Sequence, residues 1–132
     1  MKTPRHGHVD AATRKKIAVA FLEAAASGKE KAVKQHLAFG GSHHNPFFEA
    51  GWDPLVKGMM DAAKTAPKTR LTVKHVVAEE DLVAVHSHVV HAPGGPGIAV
   101  VHLLRFLDDK IVEMWDVGQE LPKDSPNTDK AF

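Results

Sequence analysis

A chain of 132 residues, 43% hydrophobic and 25% charged, fits one globular domain with one core and leaves no room for a second. With 17 Lys+Arg against 16 Asp+Glu the net charge is +1, which argues against a nucleic-acid partner held by charge. No apolar run approaches the roughly 20 residues of a membrane span, and no signal-peptide core follows Met1–His6, so a cytoplasmic protein with no membrane partner is the expectation.

The first half reads as helical. Asp10 is placed to cap a first helix whose apolar positions Ile17, Ala18, Phe21, Leu22 and Ala25 fall on one stripe, and Ser27-Gly28 stops it. A short second helix turns Ala32, Val33 and Leu37 inward and ends at Gly40-Gly41. Residues 42–48 are irregular, with Pro46 forcing Asn45 into an extended backbone. Asp53-Pro54 then reads as N-cap and first turn of a third helix with the stripe Leu55, Val56, Met59, Met60 and Ala63. The second half reads as strands 69–78, 82–91, 98–107 and 111–118, separated by Glu79-Glu80-Asp81, Pro93–Gly97 and Asp108-Asp109. Short connections imply an antiparallel four-stranded meander, so the fold class is α+β with helices on one face of the sheet. Residues 1–9 read as a flexible start and 120–132 as an extended arm, both belonging to the single domain 1–132.

No Cys is present, which excludes disulfides, thiol nucleophiles and thiolate metal ligands together. Ten His are present instead, and His is the side chain best suited to proton transfer and metal binding near neutral pH. A hairpin centred near Gly94 places His86 opposite His102 and His88 opposite Val100. The other two hairpins leave their register open: one choice in each puts His75 opposite His86 and His102 opposite Asp116. The result is a row His75, His86, His102, Asp116 on one sheet face, which a slip of one residue would break. Three uses compete for it: acid-base chemistry between Asp116 and His102 in an apolar pocket, a metal site of imidazoles plus Asp116, or polar residues on a half-exposed sheet. His43-His44-Asn45-Pro46 forms a second cluster in a loop, where binding groups are often carried, although His43 reads as pointing to water. Trp115 reads as core, interface or pocket wall, and Arg105 and Glu113 as a cross-strand pair.

His44-Asn45-Pro46, Gly51 with the third helix, Val83-Ala84-Val85-His86-Ser87-His88 and Arg105-Phe106-x-x-x-Lys110-Ile111-Val112-Glu113-x-Trp115-Asp116 resemble the SnoaL-like proteins. These belong to the superfamily of nuclear transport factor 2, ketosteroid isomerase and polyketide cyclases. The closing Pro122-x-x-Ser125-x-Asn127-x-x-x-x-Phe132 resembles a bacterial branch of the same sequences. The resemblance implies a cone-shaped roll with a deep apolar pocket and a homodimer through the outer face of the sheet. It also implies that Asp116 acts as acid/base with His102 nearby, as a strand Asp and its His do in the cyclases. In ketosteroid isomerases the base stands in an acidic-residue–Pro pair; here Asn45-Pro46 holds that place, and Asn cannot serve as a base.

The expectation is therefore a cofactor-independent, SnoaL-like enzyme that moves protons on a small apolar or carbonyl-containing molecule, by aldol-type cyclisation or isomerisation. Asp116 and His102 would carry the chemistry, and His44, Asn45, His86, His88 and Trp115 would line the pocket. A non-catalytic ligand-binding protein and a metal-dependent His/Asp enzyme are the alternatives.

Overall fold

The computed structural model describes residues 9–132; the expected N-terminal arm, with His6 and His8, lies outside that range except for Val9. Helix α1 (Ala11–Ala26) begins where the Asp10 carboxylate accepts the Thr13 N–H at 2.8 Å, a cap worth about 1 kcal/mol. It stops at Ser27, and Gly28 turns the chain with φ +71°. A Cβ at Gly28 would lie 2.8 Å from Ala63 Cβ, so glycine also lets α3 approach this corner. Helix α2 (Glu30–Lys34) is one short turn that buries Val33. Helix α3 (Trp52–Thr65) buries Leu55 and Val56 and sets Met59 and Met60 against the core. Its cap is Gly51, two residues before the expected Asp53, whose carboxylate lies in the first turn instead.

The sheet has five strands rather than four, in the order β1-β5-β4-β3-β2. Strands β2 (Arg70–Glu79), β3 (Leu82–Val90), β4 (Ile98–Leu107) and β5 (Lys110–Glu120) form the expected antiparallel meander. The extra strand, β1 (Leu37–His43), runs parallel to β5 at the sheet edge. Gly40 and Gly41 lie inside it, where Gly40 has φ +74° and the ladder shifts register between Leu37 and Ser42. A glycine pair reads locally as a stop, and a parallel partner at the far end of the chain leaves no local pattern to oppose that reading.

Helices α1 and α3 cover the inner face of the sheet. Phe21, Leu22, Val33, Leu55, Val56, Val83, Val85, Leu104, Phe106, Ile111 and Met114 form one buried core. In β3 the alternation is strict, with Val83, Val85, Ser87 and Val89 buried and Ala84, His86 and His88 on the opposite face.

Both registers weighed for the last hairpin are realised. Leu107 pairs with Lys110 next to the turn, and a bulge between Arg105 and Phe106 then sets Arg105 opposite Glu113 and His102 opposite Asp116. A bulge between Val73 and His75 likewise sets His75 opposite His86. The middle hairpin departs from expectation by one residue: His86 pairs with Val101, His88 with Ala99, and His102 with Val85. Val89 pairs with Ile98, so the connection Val90–Gly97 is centred between Pro93 and Gly94 rather than on Gly94. Because side chains alternate faces, that single slip sends His86 and His102 to opposite sides of the sheet.

Candidate functional site

The helices do not fill the inner face completely. They leave a cavity of about 430 Å³ walled by Leu22, Leu55, Met59, Leu71, Val100 and Met114 among other apolar side chains, within the range of small-molecule sites. Its polar lining is Asn45, Thr69, His91, His102 and Asp116, and among the described residues no Lys or Arg reaches it. Among the described residues, Asp116 is therefore the one carboxylate in a mostly apolar chamber.

The segment after β1 sets the geometry around that carboxylate. Asn45 Nδ2 donates to Asp116 Oδ2 at 3.0 Å, while Asn45 Oδ1 accepts the Phe47 N–H at 2.9 Å. The Phe47 amide can only donate, so the Asn45 side chain must turn its NH2 toward Asp116. The backbone of Asn45 is anchored in turn by His43, which is buried rather than turned to water. The Glu49 carbonyl can only accept, so His43 donates to it from Nε2 at 2.8 Å. Its Nδ1 is then free of hydrogen and accepts the Asn45 N–H at 3.2 Å. The His43 ring also stacks on Trp52 with centroids 6.5 Å apart, and Trp52 Nε1 donates to the Ala38 carbonyl at 2.7 Å. Two short-range bonds and one stack thus hold Asn45 on Asp116. Sequence reading missed His43 because its contacts close only when β1 and α3 meet.

His102 faces Asp116 across the β4–β5 ladder and lines the same cavity. Burial pushes its imidazole below the usual histidine range, and the Asp116 charge pulls the other way. Its Nδ1 is buried without a hydrogen-bond partner, as is Ser87 Oγ on the neighbouring strand. At the rim, Thr69 Oγ1 spends its one proton on the Ala66 carbonyl at 2.7 Å, so the 3.0 Å contact with His91 is a donation from His91 Nδ1. His91 and Thr69 were not expected in the pocket; they reach it because they lie at one end of paired strands β2 and β3.

Of the residues singled out from sequence, Asp116, His102 and Asn45 come together in the cavity, and the other four do not. His44, Trp115, His86 and His88 belong to the outer face of the sheet. His44 stacks on Trp115 at 4.9 Å and bonds Glu113 Oε2 at 2.7 Å. That bond and the Arg105 guanidinium hold the Glu113 carboxyl below the usual range, and Arg105 pairs with Glu113 at 3.3 Å as the hairpin register required. His86 stacks with His75, their Nδ1 atoms 3.0 Å apart. His86 and His88 meet the Phe132 ring at 5.1 and 4.8 Å, and His88 Nε2 donates to the Pro96 carbonyl at 2.7 Å. The row His75, His86, His102, Asp116 is thus divided between two faces. Among the described residues no three His, Cys, Asp or Glu side chains converge as metal ligands. Among the same residues, no helix is long and apolar enough to cross a membrane.

A helix-covered, five-stranded sheet enclosing an apolar chamber with an acid at its wall is the nuclear transport factor 2-like cone fold. The chain belongs to the SnoaL-like domain family, whose model matches residues 18–114. It is similar in structure to AclR, a candidate hydroxylase from Streptomyces galilaeus, at 29% identity over 83% of this chain and 91% of that chain, with TM-score 0.70. It is also similar to a SnoaL-like protein of unknown function from Burkholderia thailandensis, at 16% identity over 84% and 98% of the two chains, TM-score 0.71. IdmH, a candidate polyketide cyclase from Streptomyces antibioticus, is 18% identical over 80% of this chain and 91% of its own, TM-score 0.64. At such identities the last two likenesses show the fold alone. No curated protein sequence matches the chain.

Proposed function

We propose that the protein is an acid/base enzyme that moves protons on a neutral, largely apolar carbonyl compound, as in aldol-type cyclisation or isomerisation. The observation that carries this reading is the Asp116 carboxylate, the one carboxylate among the described residues that line an apolar chamber, hydrogen-bonded on one oxygen by Asn45 and faced by His102. Asn45 occupies Oδ2, so Oδ1 is the oxygen available to take a proton from the carbon next to a ligand carbonyl. The electrons of that C–H bond move into an enolate, whose oxygen needs a hydrogen-bond donor in a dry site. His102 is the group placed to share a proton with it. The proton on Asp116 then returns to another carbon in an isomerisation. In a cyclisation the enolate carbon attacks a second carbonyl carbon, and the new alkoxide takes that proton. A cavity wall to which the described residues bring no Lys or Arg supports a ligand that carries no anionic group inside the chamber.

Deuterium uptake from D2O into the α-position of cyclic and aromatic ketones, followed by NMR, tests the reading. Wild-type protein should speed exchange for at least one ketone that it binds, and Asp116→Asn should remove the acceleration without loss of folding. Ketones that bind and exchange equally fast with both proteins would leave a ligand-binding chamber without this chemistry. A homodimer through the outer face is part of the same proposal, supported by the exposure of Val77 (62%) and Val117 (69%) on that face. Sedimentation of wild type against Val117→Lys tests it: a monomeric wild type refutes the dimer.

A further inference from the structure

A glycine, Gly58, stands near the middle of α3, although glycine is the poorest helix former after proline because it has the most backbone freedom to lose. The helix itself does not ask for it: the chain neither turns nor takes a positive φ at that position. The demand comes from outside. A Cβ at Gly58 would stand 2.6 Å from Phe48 Cζ, and the nearest atoms it would meet all belong to that ring. The Phe48 ring therefore lies directly on the helix backbone. Both residues line the chamber, and Phe48 is 41% exposed, so its ring stands at the mouth with one side toward solvent. The carrier of the ring is fixed as well. The His43 donation to the Glu49 carbonyl closes residues 43–49 into a loop, and within it the Asn45 side chain holds both the Phe47 N–H and Asp116. The backbone under Phe48 cannot withdraw without breaking the contacts that place Asn45, so the ring is the part that can move.

We propose that Phe48 is the specificity-determining residue of the chamber: seated on Gly58, its ring closes the mouth against α3 and sets the largest ligand that the chamber accepts. A ligand that fits behind the ring leaves Asn45 on Asp116. A bulkier one must drive the ring off the helix, which returns apolar surface of both to water and disfavours its binding. The limit is sharp because both supports, a helix backbone and a tied loop, are packed elements that yield little. Gly58 serves the ring and not the ligand. Any side chain there lifts the ring outward, toward its solvent side, and opens the mouth. The inference rests on the proposed function only in taking the chamber as the ligand site, not on the proton chemistry inside it.

The test is equilibrium binding of two neutral fluorescent probes, N-phenylnaphthylamine and the bulkier Nile red, to wild type, Phe48→Ala, Gly58→Ala and the double variant. Wild type should bind the smaller probe more tightly. Phe48→Ala and Gly58→Ala should each shift the preference toward Nile red by roughly tenfold or more, the selectivity that contacts in an apolar pocket supply. The double variant should match Phe48→Ala in preference, because without the ring the new methyl group meets nothing. Its melting temperature should exceed that of Phe48→Ala, since only the better helix propensity of alanine remains. Phe48→Leu should give a smaller shift in the same direction and replaces Phe48→Ala should that variant fail to fold. A preference for Nile red in wild type, a preference that the loss of the ring leaves unchanged, or a Gly58→Ala shift that persists in full without the ring overturns the proposal. So does the failure of both probes to bind any of the proteins. Ketone exchange with an unmoved probe preference sinks this inference alone; a moved preference with no exchange sinks the acid/base reading alone.

Discussion

Replacing Asn45 by Asp tests the contact on which the site is built, because it exchanges one NH2 for one oxygen and little else. In wild type Asn45 Nδ2 donates to Asp116 Oδ2 at 3.0 Å. In Asn45→Asp two carboxylates face each other at that distance, and two unit charges there repel by about 5–6 kcal/mol at an effective dielectric of about 20. Rotation of either side chain relieves part of this, so a loss of about 2–4 kcal/mol is expected at pH 8, where both are ionised. A domain of this size loses about 3–6 °C of melting temperature per kcal/mol. The pH dependence is the sharper signature. The folded pair takes up a proton more readily than the two separated groups of the unfolded chain, so folding gains stability as pH falls from 8 toward 5. Thermal melts of wild type and Asn45→Asp across that range measure the difference between them, which should narrow as pH falls. A variant as stable as wild type at pH 8, with a parallel pH curve, would refute the placement of Asn45 on Asp116.

Wild type itself should behave in the opposite sense. His102 is held below the ordinary histidine range by burial, so the unfolded chain binds a proton first. Stability is then full above about pH 6.5 and falls as pH drops toward the folded-state value, by about 1.4 kcal/mol for each pH unit between the two. His102→Leu should flatten the slope of melting temperature between pH 7 and 5, and an unchanged slope would count against the burial of an ionisable His102. His43→Leu keeps the packing on Trp52 but removes both hydrogen bonds of the ring, leaving the Glu49 carbonyl and Asn45 N–H unpaired. It should cost about 2–3 kcal/mol in chemical denaturation and speed hydrogen exchange of the Asn45 side-chain amide; unchanged exchange would show that Asn45 does not depend on His43. Gly41→Ala brings a Cβ within 2.5 Å of the Trp52 ring, so overpacking should destabilise the edge by about 1–3 kcal/mol in the same assay.

Local chemistry determined much of this protein. The Asp10 cap, the Ser27-Gly28 stop, the apolar stripes of α1 and α3 and the four meander strands are all written in short stretches of sequence. Each depends on contacts within one helix or across one hairpin. The tertiary structure decided the rest. Strand β1 exists because β5 is there to pair with, and no pattern inside Leu37–His43 announces a parallel neighbour at the other end of the chain. His43 becomes an anchor only where β1 meets Trp52 and Glu49. The face on which His86 and His88 lie turned on whether the Val90–Gly97 connection is centred on a residue or between two. Composition cannot resolve that half-residue, yet the alternation of side chains converts it into opposite sides of a sheet. The ten His of the sequence therefore do not form one site. Packing sends His102 into the chamber beside Asp116, stacks His75 and His86 on the outer face, and makes His43 the support that holds Asn45 in place.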